Sequence, residues 1–231
     1  NPRKRHELNL FNLEYNSVIR TTAAFDSITR ANPALYISMR DQLVPSISYI
    51  FTSTSPATDR HPYWVQFLLK EAGNVTSGLY ALTGRSFSET GKHLLRSPFS
   101  QFVKATAEGH YTRVFSPRLS LAMRAFAGVV YAYGNSTQAP YGEQFFVGGA
   151  NSVRGFAVRT IGPGGYHTQR TKYSYIDQTG DVKFEANAEL RTRLFGQLNG
   201  ALFLDAGNVW LIRPDAKRPE SGLTLHNLKR I

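Results

Sequence analysis

The chain contains no cysteine, which excludes disulfide bonds as a source of its stability. It also contains no run of eighteen apolar residues, and only 42% of its 231 residues are hydrophobic, so a transmembrane α-helix is excluded as well. A transmembrane β-barrel is not excluded, because a barrel strand needs an apolar residue only at every second position. The 15 Phe, 12 Tyr and 2 Trp residues are sufficient for the aromatic girdles of such a barrel.

Motifs of catalysis and of metal binding are also missing. The sequence has no Gly-x-Ser-x-Gly segment for a nucleophilic serine. None of its six His residues lies at metal-ligand spacing from another. The glycines of segment 162–165 are not followed by the Lys-Ser or Lys-Thr of a phosphate-binding loop. We therefore expect no enzymatic activity and no cofactor.

The strongest pattern that is present is an alternation of apolar and polar residues over positions 181–195. One set of alternate positions is uncharged: Val182, Phe184, Ala186, Ala188, Leu190, Thr192 and Leu194. The other set is almost wholly ionic: Asp181, Lys183, Glu185, Asn187, Glu189, Arg191 and Arg193. Side chains of a strand alternate between its two faces, so the segment predicts a two-faced strand. Its length exceeds that of a typical sandwich strand and suits a tilted strand that crosses a bilayer.

Similar alternation predicts seven more strands, for eight in all, at about 7–16, 43–54, 62–72, 74–83, 99–115, 118–133 and 198–212. Short turns at 73–74, 116–117 and 196–197 alternate with long connections at 53–62, 84–98 and 134–180. Outer-membrane barrels have short periplasmic turns and long extracellular loops. The sequence thus predicts an all-β fold, a transmembrane antiparallel β-barrel. A helical periplasmic insert is expected at 17–42, where Asn32-Pro33 resembles a helix start.

The connection 134–180 is far longer than an ordinary hairpin loop. It contains Gly148 and Gly149, followed by Val153-Arg154-Gly155-Phe156. Glycines permit close backbone approach and positive φ angles, and the guanidinium between them is suited to bind carboxylates. The alternative is an ordinary surface loop with a solvated arginine. Arg159 and Arg170, in the same connection, are expected to be exposed.

The segment from Gly148 to Phe156 resembles the sixth extracellular loop of the BamA/TamA superfamily of outer-membrane protein assembly factors. The segments 188–190 and 203–210 are similar to the following strands of that family, the second with its Asp-x-Gly element. The resemblance extends over 99–212, and segment 176–181 is most similar to TamA-like proteins of Bacteroidetes. The family implies about eight strands of a probable sixteen-stranded barrel. We therefore expect 1–231 to be part of a C-terminal barrel domain that has been cut from a longer chain.

The resemblance also implies that loop 134–180 folds into the barrel lumen, where Arg154 binds acidic residues of the next two strands. The alternation independently places Glu189 and Asp205 on the inward face. These two are the expected partners, and Glu185 on the same face is the alternative one. Glu189 and Asp205 could instead be solvated charges of the lumen wall.

The function implied by the resemblance is insertion or translocation at the bacterial outer membrane, with assembly or export of outer-membrane proteins or lipoproteins. Unfolded outer-membrane proteins are the implied substrates, and periplasmic or envelope accessory proteins are possible partners. A weakly paired seam between the first and last strands of the barrel is expected to lie outside this chain. The alternative function is a two-partner secretion pore or a passive porin-like channel.

The net charge is +11, which raises the question of a nucleic-acid partner. The Lys and Arg residues are scattered through loops and alternate strand positions, and the one dense run is Arg3-Lys4-Arg5. We therefore expect no nucleic acid. Outer-membrane lipids and anionic lipopolysaccharide are the expected partners of the basic loops.

Overall fold

Seven long strands dominate the computed structural model, which describes residues 2–17, 21–23, 26, 41–56, 58–167, 178–213 and 215–224. With two short strands, β4 and β5, they make nine in the described residues: β1 (Arg3–Asn16), β2 (Gln42–Thr54), β3 (Tyr63–Ala72), β4 (His93–Leu94), β5 (Ser97–Pro98), β6 (Phe102–Ser116), β7 (Leu119–Ala132), β8 (Val182–Phe195) and β9 (Leu198–Trp210). They are accompanied by a helix, α1 (Asn74–Leu82), and a 3₁₀ turn, Tyr141–Glu143.

The long strands form one antiparallel sheet in the order β1-β2-β3-β6-β7-β8-β9, while β4 and β5 pair separately. Each long strand therefore pairs with the next long strand along the chain, as in an up-and-down barrel. The predicted all-β antiparallel fold is confirmed. Among the described residues, no helix combines the length and the apolar character that a membrane crossing requires.

The two faces of this sheet are reversed relative to those of a water-soluble sheet. Its apolar face is exposed, with large side chains such as Leu8, Phe67, Phe184, Leu202 and Leu204 at least half accessible. Register keeps these residues together, since Leu190 lies opposite Leu121 on one side and Leu202 on the other. The polar face is covered in part by the connection between β7 and β8. An exposed apolar face and a covered polar face suit contact with lipid.

The buried core lies between the polar face and this covering connection. It combines strand residues near the ends of β2, β3, β6, β7 and β9 with residues of the connection, namely Val44, Ala72, Phe102, Val130, Ala132, Ala139, Phe145, Val147, Val153 and Val209. The core therefore fixes the connection on the sheet and not one sheet on another.

The predicted strand at 74–83 is wrong, because these residues form α1. Gly73 precedes the helix in the left-handed conformation, with φ 73°. Val75, Leu79 and Leu82 are exposed while Thr76 and Ser77 are buried, so the apolar residues follow a helical spacing. β3 pairs directly with β6. The described sheet thus has seven strands and not eight.

The extra strand also put two connections on the wrong edge of the sheet. β1 ends and β2 begins at the edge where the β7–β8 connection lies, since Asn16 pairs with Gln42. Asn16 and Gln42, the strand ends that flank 17–41, therefore lie at the edge of the long loops and not at the edge where a periplasmic insert is expected. The connection 55–62 lies instead at the edge of the short turns 117–118 and 196–197. The helical character predicted for 17–42 falls largely outside the described residues.

The reversed faces generate a prediction for Leu190, which lies near the middle of β8 on the apolar face. Leu190→Arg should destabilise the folded protein by about 2–4 kcal/mol, because a cation at the depth of the membrane midplane is poorly solvated. Leu194→Arg, on the same face but next to a short turn, should cost only about 0–1 kcal/mol. Unfolding in lipid vesicles measures both values. Equal costs would contradict the assignment of the apolar face to lipid.

Candidate functional site

The connection between β7 and β8 is shaped by two glycines. Gly148 and Gly149 have φ angles of 107° and 103°, which side-chain-bearing residues rarely adopt. A Cβ atom on Gly148 would lie 2.2 Å from the carbonyl oxygen of Ala157. The close approach allows the Gly149 amide to donate to the Phe156 carbonyl at 2.9 Å and closes segment 149–156 into a compact loop.

Arg154 lies at the tip of this loop and is bound by the two carboxylates that the sequence predicts. Its Nε and Nη2 atoms donate to Asp205 Oδ2 and Oδ1 at 2.7 and 2.8 Å, and its backbone amide reaches Oδ2 at 3.1 Å. Its Nη1 atom donates to Glu189 Oε2 at 2.5 Å. The planar guanidinium thus binds Asp205 through two parallel hydrogen bonds, from Nε and Nη2, and binds Glu189 through Nη1.

Two further residues hold this arrangement in place, and sequence reasoning missed both. The ring of Phe203 stacks on the guanidinium, with Arg154 Cζ 3.8 Å from the ring centroid. Asn187 Nδ2 donates to Asp205 Oδ1 at 2.9 Å and to the Ser152 carbonyl at 2.8 Å. Both side chains lie on the inward face, because Phe203 pairs with Glu189 and Asn187 pairs with Asp205.

Glu185, the alternative partner of Arg154, binds other residues of the same site. Its side chain is fully buried and contacts Lys183 Nζ at 2.9 Å. It also accepts a hydrogen bond from Ser152 Oγ at 2.5 Å and forms an ion pair with Arg124. Glu185 therefore secures the loop through Ser152 and not through Arg154.

Arg124 of β7 is the second arginine of the site. It donates to Glu108 Oε1 at 2.7 Å and to the Asn151 carbonyl at 3.3 Å, in addition to Glu185. Arg124 lies on the inward face of β7, since it pairs with Asn187 of β8. The signal that could have identified its role is the strand register, which sets Arg124 opposite Asn187, two positions from Glu185.

The remaining motif residues contribute packing and backbone shape. Val153 is buried and packs on Gly207, where a Cβ atom would lie 3.3 Å from Val153 Cγ2. The same Cβ atom would lie 3.2 Å from both Glu185 Cγ and the Phe184 carbonyl oxygen, and these three contacts together account for the glycine of the Asp-x-Gly element. Gly155 has φ 89° with open space around it, so its conformation is what requires glycine. The ring of Phe156 is about half exposed, and only its backbone carbonyl is used in the loop.

These ion pairs form a charge-balanced network on the inward face. Four basic side chains, Arg124, Arg154, Lys183 and Arg191, are joined to four acidic ones, Glu108, Glu185, Glu189 and Asp205. Asn187 connects its two halves, since it contacts both Asp205 and Arg124. The network can hold a loop against a wall, and across the described ranges no cluster of His, Asp or Glu could bind a metal ion.

The sequence that forms this site is similar to that of known proteins. Residues 72–225 match the Omp85 superfamily domain. The outer membrane protein assembly factor BamA of Neisseria meningitidis serogroup B is 32% identical over 115 residues, which are 48% of this chain and 14% of that relative. The chain therefore spans a small part of the relative's length.

The contacts of Arg154 generate the second prediction. Arg154→Ala should lower the stability of the folded barrel, because it leaves the Asp205 carboxylate with Asn187 as its neutral side-chain partner. The temperature at which the folded form is lost in a heat-modifiability gel measures this effect. Arg118→Ala, in the exposed turn between β6 and β7, is the control. Equal behaviour of the two variants would argue against the anchoring role.

Arg159 was expected to be an exposed control and is not one. Its guanidinium lies 4.5 Å from the ring centroids of both Tyr141 and Phe146, and the residue is half-buried. Arg170 lies outside the described residues.

The glycine geometry generates a third prediction. Gly148→Ala should displace the loop and weaken the Arg154 contacts, because the new Cβ clashes with the Ala157 carbonyl and the φ angle becomes strained. Gly142→Ala is the matched control, since a Cβ atom there would meet nothing within 4 Å. Limited proteolysis of the loop would compare the two. Faster cleavage of the Gly142 variant, or no change in the Gly148 variant, would contradict the prediction.

Proposed function

Because the chain belongs to the Omp85 superfamily and lies in the bacterial outer membrane, we propose that it is part of a barrel that assembles or exports outer-membrane proteins or lipoproteins. The relative from Neisseria is named as an outer-membrane protein assembly factor. The finer assignment to TamA-like proteins of Bacteroidetes stays a prediction from the residues near 176–181.

The observation that carries the proposal is the anchoring of Arg154 by Asp205 and Glu189. The polar face of a membrane barrel lines its lumen, so a loop fixed to that face occupies the lumen. The loop is packed as a core, with Val147 fully buried and Val153 nearly so. Its role in the proposal is a rigid internal support for the wall formed by β6 to β9.

The substrates in this proposal are unfolded outer-membrane proteins, which are recognised through strand addition at an exposed sheet edge. Outer-membrane lipids and lipopolysaccharide would contact the apolar face and the basic loops, and envelope accessory proteins would complete the machine. The proposal includes no enzymatic step, no cofactor and no nucleic acid.

The alternative is a two-partner secretion pore or a passive porin-like channel, in which the same loop constricts a water-filled path. The packing of the loop favours the assembly function, because Val147 and the carboxylates of Glu185 and Asp205 are buried where the loop meets the wall, and the ion pairs there are charge-balanced. A channel lining is polar and in contact with water. The Glu185 side chain is fully buried, and about three quarters of the Arg154 side chain is covered, so these contacts are largely shielded from water.

Depletion of the full-length protein, followed by proteomics of the outer membrane, is the experiment that tests the proposal. Loss of many barrel proteins is expected, whereas loss of one secreted partner would indicate the secretion pore. Complementation with Arg154→Ala should restore the barrel proteins less completely than complementation with Arg118→Ala at equal abundance. An outer membrane that is unchanged after depletion would refute the assembly function.

A further inference from the structure

The β7–β8 connection meets the sheet at a second place, the 3₁₀ turn Tyr141–Glu143. The Glu143 side chain is only 9% exposed, and its Oε2 atom lies 3.0 Å from Lys104 Nζ of β6. Its Oε1 atom forms an ion pair with Lys70 of β3. Lys104 Nζ also donates to the carbonyl oxygen of Glu143 at 3.0 Å. One loop residue thus binds two neighbouring strands.

The strand register explains why an anion belongs at this point. Lys70 and Lys104 lie directly opposite each other on β3 and β6, and both side chains are mostly buried, at 13% and 16% exposure. Like charges directly opposite on a sheet repel each other. A carboxylate between the two ammonium groups removes this repulsion, and Glu14 of β1 balances the second charge at 3.4 Å from Lys70.

The charge state of Glu143 fits this arrangement. Burial alone would raise the pKa of its carboxyl group, but Lys104 and Lys70 hold that pKa below its ordinary value. Glu143 is therefore ionised at neutral pH, and the four side chains of Glu14, Lys70, Lys104 and Glu143 together carry no net charge.

We propose that Glu143 is a second anchor of the β7–β8 connection. It positions segment 139–145, here called the first arm, over β3 and β6 independently of Arg154. The second arm is segment 149–156, which contains Arg154. The partners of Glu143 lie on β3 and β6, whereas those of Arg154 lie on β8 and β9, so the two anchors share no strand. The connection is thereby fixed on both sides of β7. This inference does not depend on the substrate of the protein, and its failure would leave the proposed function unaffected.

Thiol labelling of the full-length protein in outer-membrane preparations tests the inference. These 231 residues contain no cysteine, so an introduced thiol is the only one in this region. Ala139→Cys reports the first arm and Val153→Cys reports the second, since these residues are 2% and 7% exposed. Glu143→Gln should accelerate labelling of Cys at 139 at least tenfold and leave Cys at 153 protected. Arg154→Ala should accelerate labelling of Cys at 153 and leave Cys at 139 protected.

Three further variants separate the anchor from a general loss of packing. Glu89→Gln removes a carboxylate that pairs with Arg85 elsewhere and is 39% exposed, and it should change neither labelling rate. Glu143→Lys should accelerate labelling at 139, and the exchange Glu143→Lys with Lys104→Glu should restore protection. The inference is overturned if Glu143→Gln changes labelling at 139 less than twofold, if both thiols become reactive together, or if the charge exchange restores nothing.

Discussion

The burial of the Asp205 carboxylate is the constraint on which the rest of the structure depends. Its side chain is only 3% exposed, and a buried carboxylate must be paired and hydrogen-bonded to be tolerated. Arg154 and Asn187 meet this requirement, and Arg154 can reach Asp205 only if segment 149–156 turns inward onto the polar face. The conformation of Gly148, the absence of a side chain at Gly207 and the position of Ser152 all follow from that turn.

The membrane divides the forces that shape this chain into two kinds. Lipid accepts the apolar face without any partner from the protein, so side chains such as Leu202 and Phe67 need no packing against other elements. The polar face receives no such help where the loop covers it, because an ion buried away from water is stable only with a counter-ion. Specific geometry is therefore concentrated on the inward face, where each described carboxylate of the network has a basic neighbour.

Sequence patterns predicted the parts of the fold that depend on one strand at a time. The alternation over 181–195 predicted β8 and its two faces, and alternation in β8 and β9 placed Glu189 and Asp205 on the inward face. Their pairing with Arg154 was implied by the family resemblance. Residues 74–83 were misassigned because, over so few residues, apolar positions separated by polar ones are compatible with either a strand or a helix. The direct pairing of β3 with β6 excludes a strand of the sheet between them. That single error also reversed the edge assigned to 17–41 and 55–62.

The residues that sequence reasoning missed are those whose role depends on several strands together. Arg124 binds Glu108 and Glu185 because the register of β6, β7 and β8 brings the three side chains together. Glu143 binds Lys70 and Lys104 because these lysines lie opposite each other on β3 and β6. Phe203 was read as part of a motif, but its stacking on Arg154 requires the loop to be in place. No periodicity within one segment contains this information, because it lies in the pairing of segments far apart in sequence.

Chain order gives the Arg154 anchor a meaning for folding. Arg154 precedes Glu189 by 35 residues and Asp205 by 51, so both partners are added to the chain after the loop that binds them. Closing a loop of this length costs entropy before its contacts form. The contacts of Arg154 with both carboxylates require β8 and β9 to be paired with their polar side chains inward. Closure of the loop onto the polar face is therefore coupled to correct pairing of β8 with β9.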